Sequence, residues 1–172
     1  MSFGILILRL AVGLTLAAHG AQKLFGWFGG YGLTGTGAFL EQLGFRPGRV
    51  QAAAAGSVEF LGGLLLAAGL LTPLASAGVI AVMLVAAVSV HVKSGFFAQA
   101  GGYEYAFILG ATAAALAFTG PGALSLDGVL GTSVSGGPAG FAALAAGLVG
   151  GALPLLSRRP NVAAAAAERH AA

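Results

Sequence analysis

The chain alternates long apolar runs with short polar breaks. The runs cover residues 3–25, 50–71, 74–92, 103–119 and 138–156. An α-helix needs about 20 apolar residues to cross a bilayer, and 103–119 is short for this but within the usual range. The break at Thr72-Pro73 is a tight connection, whereas 93–102 and 120–137 are Gly-containing loops. Residues 26–49 are too polar to span. That segment opens with Trp27, Phe28 and Tyr31, aromatic residues of the kind that favour the membrane–water boundary. Within it, 36–43 fits a short amphipathic helix lying in the interface, and Arg46-Pro47-Gly48-Arg49 marks a turn. The pattern predicts an all-α fold, a polytopic transmembrane helix bundle of five helices, followed by an alanine-rich, disordered tail over 158–172. A cleaved signal peptide is the competing account of the first run. No basic residue precedes that run and Arg9 falls inside it, so a retained helix is the better reading.

Composition agrees with a membrane protein. The 172 residues are 58% hydrophobic and only 8% charged, against about 25% charged in soluble domains. The 30 glycines follow no collagen-like period and suit closely packed membrane helices. A net charge of +3 raises the question of nucleic acid, but the eight Lys and Arg residues are scattered, so none is expected as a partner. With no cysteine, thiol–disulfide chemistry and Cys-ligated metal centres are excluded from this chain. With five crossings, Lys23, Arg46, Arg49, Lys93, Arg158, Arg159 and Arg169 fall on one side, and only Arg9 lies towards the other. The positive-inside rule then places the N-terminus outside and the C-terminal tail in the cytoplasm.

The polar residues inside the runs are few. Glu59 stands in the middle of the second run, with Gly56 and Gly63 on the same helix face. Glycines admit a close neighbour, so Glu59 is expected to point at protein and not at lipid. A carboxylate at that depth is expensive and points to function unless a partner explains it. In the first run Arg9, Gly13, Leu16, Gly20 and Lys23 form one stripe, with His19 at its edge. Glu59 lies roughly 12 Å, and His19 roughly 9 Å, from the same membrane face. His91 ends the third run, and Glu104, between Tyr103 and Tyr105, opens the fourth. His19, Lys23, Glu59, His91 and Glu104 are therefore expected in one leaflet.

Structural roles compete with functional ones at each position. Arg9 and Lys23 fit headgroup snorkelling, and Glu59 with Arg9 or His19 fits a packing pair. His91 with Lys93 fits a helix end, and Tyr103 with Tyr105 an aromatic belt. Axial ligation of a haem by two histidines is a weaker reading, and the spacing of His19, His91 and Glu59 does not suggest a metal. No nucleophile-elbow, zincin or phosphate-loop motif occurs.

Several motifs in order resemble one family. Arg9-Leu10, Gly13, His19-Gly20 and the run Gln22 to Gly26 resemble the opening signature of the DoxX family of small bacterial membrane proteins. Glu59, Gly62-Gly63 and Gly69-Leu70-Leu71-Thr72 are similar to its second helix. Gly95-Phe96-Phe97, the run Gly101 to Tyr105, Thr119-Gly120-Pro121-Gly122 and Ser125-Leu126-Asp127 look like its remaining motifs. The resemblance implies a bundle of four core helices over 1–131 in a bacterial inner membrane, with a fifth, C-terminal helix within 132–157 added to it, and a role as an oxidoreductase component. The related DoxD protein is a subunit of a thiosulfate:quinone oxidoreductase, and mycobacterial DoxX is linked to an oxidative-stress complex. The run 138–156 is an addition to that pattern.

The first functional expectation is thus the membrane component of a quinone-linked redox system. Glu59, His19 and Glu104 are its candidate catalytic groups, and Arg9, Lys23, His91, Tyr103 and Tyr105 its candidate substrate-binding groups. The cofactor expected is a quinone, and the partners are the lipid bilayer, an oxidoreductase subunit and a second copy of the chain. The alternatives are a non-enzymatic scaffold within an oxidoreductase complex and, ranked last, a small-solute or proton transporter.

Overall fold

The computed structural model describes residues 2–159. The tail expected over 158–172 lies outside the described residues from 160 onward, as does Arg169. Among the described residues, seven α-helices occur in order: α1 (Ser2–Phe25), α2 (Gly32–Gln42), α3 (Gly48–Ala68), α4 (Thr72–Ala86), α5 (Glu104–Thr119), α6 (Leu126–Leu130) and α7 (Gly137–Ser157). Four helical stretches among these residues are long and apolar enough to cross a membrane: α1, α3, α4 with its distal turns, and α7. The 16 residues of α5 are shorter but also apolar. Consecutive long helices run antiparallel, so the bundle has two ends. The C-terminal end of α7 returns to the α2–α3 turn, where Arg159 N donates to Gly44 O at 2.9 Å. Arg158 lies over the Phe45 ring there, 5.9 Å from its centroid. We call this end of the bundle the near end and the opposite one the far end.

Local chemistry sets the boundaries. α3 stops three residues earlier than the apolar run because Gly69 adopts a left-handed conformation (φ 67°), with Leu70 N returning to Leu65 O. α4 opens with Pro at its first turn and stays helical past Ala86 through a wide π turn over Ala87–His91. α6, inside a segment expected to be a loop, is capped by Ser125, whose Oγ accepts from Gly128 N at 3.0 Å.

Packing is set by the small residues. α1 lies closest to α3, where a Cβ on Gly13 would meet Gly63 O at 2.5 Å and Ala67 N at 2.6 Å. Only glycine permits that approach. α7 packs chiefly on α4, with Gly147 against Ile80 and Gly151 against Ala81. Val12, Leu16, Leu66, Val79, Met83, Leu109 and Leu116 fill the core. Leu14, Leu61, Leu74, Phe107, Phe141 and Leu153 face outwards, the distribution expected of helices solvated by lipid tails.

Candidate functional site

At the near end, the single ion pair among the described residues joins Lys23 of α1 to Glu59 of α3. The Lys23 side chain is 29% exposed and that of Glu59 only 5%. Gly20 and Gly56 bring the two helices together one turn away, which lets the Lys23 stem lie across Gly56 and its ammonium reach Glu59. Glu59 thus points at protein, as its flanking glycines require. Its partner is Lys23, and neither Arg9 nor His19.

The pair lies in the wall of an open groove of about 530 Å3 bordered by α2, α3, α4 and α7, with Lys23 of α1 at its edge. Its lining is mostly apolar, with Ala55, Val58, Val82 and Val85 along its length and Phe39 and Phe45 at the near end. The polar exceptions are Lys23, Glu59, Thr36, Gln51, Ser89 and His91. Two backbone irregularities fall in the same wall. The π turn carries Ser89 and His91. Pro154, inside α7, has no N–H to offer Gly150 O one turn earlier, and both residues line the cavity.

His91 Nδ1 lies 2.8 Å from Gly101 O. A carbonyl only accepts, so Nδ1 carries a proton and is engaged, which leaves Nε2 as the ring nitrogen that can meet a ligand.

The other expected residues do not line this groove. His19 donates from Nδ1 to Gln22 Oε1 at 3.1 Å, and Gln22 Nε2 donates to Phe28 O at 3.2 Å. The Tyr105 hydroxyl is 3.5 Å from His19 Nε2, at the outer limit of a hydrogen bond, and the two rings meet edge to face. Glu104 accepts from Ala98 N at 2.9 Å, and Tyr103 stacks edge-on against Phe96. These two close the 95–103 loop. The leaflet expectation therefore divides: Lys23, Glu59 and His91 come together on one cavity, while His19–Tyr105 and Tyr103–Glu104 join neighbouring elements beside it.

Arg9 is at the far end. It is 1% exposed and donates to Pro121 O and to Leu124 O (2.6 Å), with Ala67 O at 3.4 Å. Its Nε, like Ser76 Oγ, is buried without a hydrogen-bond partner among the described residues. Beside it Asp127, also 1% exposed, accepts from Leu71 N (3.1 Å), Thr72 N (3.2 Å), Thr72 Oγ1 (3.3 Å) and Thr132 Oγ1 (3.1 Å). Leu71 holds a left-handed conformation (φ 51°), unusual for a branched residue, and its N–H is one of those donors. Burial opposes ionisation of Asp127, but the four hydrogen bonds outweigh it and hold its carboxyl below the ordinary value. In the sequence Asp127 stands out only as part of the family-like Ser125-Leu126-Asp127 motif, with no role attached to it. The available signal was that it is the only acidic residue beyond the far ends of α3 and α5, on the side where Arg9 lacks a counter-charge.

The DoxX family profile matches residues 4–92, which takes in α1 to α4 and with them Arg9, His19, Lys23, Glu59 and His91. The family-like motifs between 95 and 127 lie beyond the matched residues. No curated protein and no solved structure gave a significant match. The match covers just over half of the chain, and the helices it covers include the two that carry the Lys23–Glu59 pair: this is a multi-pass membrane protein of the DoxX family.

Proposed function

We propose that this protein is the membrane component of a quinone-linked redox system, and that the groove between α2, α3, α4 and α7 receives the quinone. The observation that carries the reading is the Lys23–Glu59 pair set in the wall of an otherwise apolar cavity. A quinone has a polar ring with two oxygens and an apolar tail, and the groove offers matching surfaces. Lys23 supplies a donor to one oxygen. Thr36 and Gln51 line the same cavity at the near end, and His91, held by Gly101 O through Nδ1, has Nε2 as the nitrogen that relays a proton to a ring oxygen as the quinone is reduced. The quinone supplies the electron acceptor, and a partner oxidoreductase subunit is its source of electrons.

In this reading residues 1–131 form the working unit, with α7 added against α4 to close one side of the groove. The basic near end faces the cytoplasm by the positive-inside rule, in the inner membrane, with the N-terminus outside. A second reading, a scaffold without a ligand of its own, draws support from Arg9, His19 and Glu104, each engaged in holding neighbouring elements.

Binding of a decyl-tailed benzoquinone to the purified protein separates the two. Saturable binding that weakens by about tenfold or more in Glu59→Gln, a loss of about 1.4 kcal/mol, is the expected result, with the variant still folded. Undiminished binding in Glu59→Gln removes the pair from the site. Absence of binding in the wild type favours the scaffold.

A further inference from the structure

A second cavity, of about 610 Å3, lies between the end of α1, the 26–31 turn and α2. Its character differs from that of the groove: Gln22, Gln42 and Tyr31 line it together with Gly29, Gly30 and Gly35. The two cavities share Lys23, Thr36 and Phe39, and Lys23 is the one ionisable residue common to both. Its ammonium carries the exposed side of the ion pair, and the Glu59 carboxylate the sealed side.

We infer that the Lys23–Glu59 pair is a proton gate between these cavities, fed with water from the α1–α2 cavity and serving a ligand oxygen in the groove. The inference rests on the groove being a ligand site. At rest the pair is an ammonium and a carboxylate, neutral as a unit. A ligand oxygen takes one proton from it, leaving an amine and a carboxylate with a net charge of minus one. An uncompensated buried charge is unfavourable, so the amine takes a proton from hydronium in the α1–α2 cavity and the resting pair returns. The reverse sequence releases a ligand proton to the same cavity. Proton exchange is therefore confined to the near end, and the ligand class is one that protonates at oxygen.

The ionisable groups around the pair are His91 of α4, across the groove, and Tyr31, on the water side. Among the described residues, α2 and α7 contribute no charged side chain to the lining of either cavity: Glu41 of α2 accepts from Gly48 N at 2.9 Å, and Arg158, at the end of α7, lies over the Phe45 ring.

The test uses an accident of composition: Lys23 and Lys93 are the only lysines. In a Lys93→Arg background Lys23 is the sole side-chain amine, and a water-soluble sulfonated N-hydroxysuccinimide ester reports its access to water in lipid nanodiscs without any quinone. Ala38 and Gln42 line only the α1–α2 cavity, and Ala54 only the groove. Modification of Lys23 is expected to slow by about tenfold or more in Ala38→Trp and in Gln42→Trp, as for a site whose open form falls tenfold in population, and to be unchanged in Ala54→Trp. The infrared response of the Glu59 carboxylate to a pH jump, identified by its loss in Glu59→Gln, is expected to slow in the same two variants. Slowing by Ala54→Trp alone, equal slowing by all three, or no modification of Lys23 even in Glu59→Gln overturns the gate. Intact modification without quinone binding leaves the gate standing and counts against the quinone reading alone.

Discussion

Two charged groups on α1, Arg9 and Lys23, stand about 21 Å apart along the helix at 1.5 Å per residue, and they have opposite surroundings. Arg9 is enclosed by carbonyls of the 121–124 loop and the end of α3, with the Asp127 carboxylate beside it satisfied by four donors. Lys23 makes one bond, to Glu59, and opens onto two cavities. The cost of placing a charge in a membrane is similar for both. The difference lies in what settles it. At the far end the protein itself uses nearly every hydrogen-bonding position, which leaves a lock. At the near end positions remain for a ligand and for water, which leaves a site.

The largest expected effect breaks the lock. Asp127→Ala removes the acceptor for Leu71, Thr72 and Thr132 and leaves the Arg9 guanidinium without its neighbouring charge, so it should destabilise the helical bundle by roughly 3–5 kcal/mol. Thermal unfolding in mild detergent measures it; a loss below about 1 kcal/mol, the scale of an exposed pair, would erase the contrast between the two ends.

Acid acts on the same group. The folded-state pKa of Asp127 is lowered by its hydrogen bonds against the opposing effect of burial. Its stabilisation is therefore complete above the unfolded value of about 3.9 and is lost as pH falls through the lower folded value. The stability gap between the wild type and Asp127→Asn should narrow below about pH 4 and stay constant above it. A gap that closes near neutral pH would assign the effect to another group.

Smaller effects sharpen the near end. Glu59→Gln should cost less than about 1 kcal/mol of stability, because the partly exposed Lys23 can turn to water, while its effect on ligand binding is large. Tyr105→Phe, at the limit of hydrogen-bond distance from His19, should change stability by less than about 0.5 kcal/mol and leave ligand binding intact. Differential scanning in the presence and absence of the decyl-tailed quinone reads both quantities. Equal ligand shifts in Glu59→Gln and Tyr105→Phe would contradict the assignment.

Much of the bundle was legible in the sequence because hydropathy acts over whole runs. The boundaries of α1, α5 and α7 agree with the apolar runs within about two residues, the usual scatter of helix ends. α6 was not legible: five residues are too few for a period to emerge, and its capping signal at Ser125 sits in a Gly-rich stretch. The π turn was hidden as well, since it changes hydrogen-bond register without interrupting hydropathy. The inward direction of Glu59 was readable from Gly56 and Gly63, but its partner was not. That depends on the register of α1 against α3, with Gly20 at Gly56 and Phe60, and Gly13 at Gly63 and Ala67. This register sets Lys23 beside Glu59 and carries Arg9 past Ala67, a pairing that single-helix periodicity cannot supply. The groove likewise needs α2 and α7 in place, so Thr36, Phe39 and Pro154 carried no signal of their own.

Native mass spectrometry of the protein released from mild detergent tests the central claim most directly. The account predicts a bound mass matching an isoprenoid quinone on the wild type, retained in Tyr105→Phe and lost in folded Glu59→Gln. A quinone mass that survives in Glu59→Gln, or a wild-type protein that carries only a second polypeptide, would contradict it.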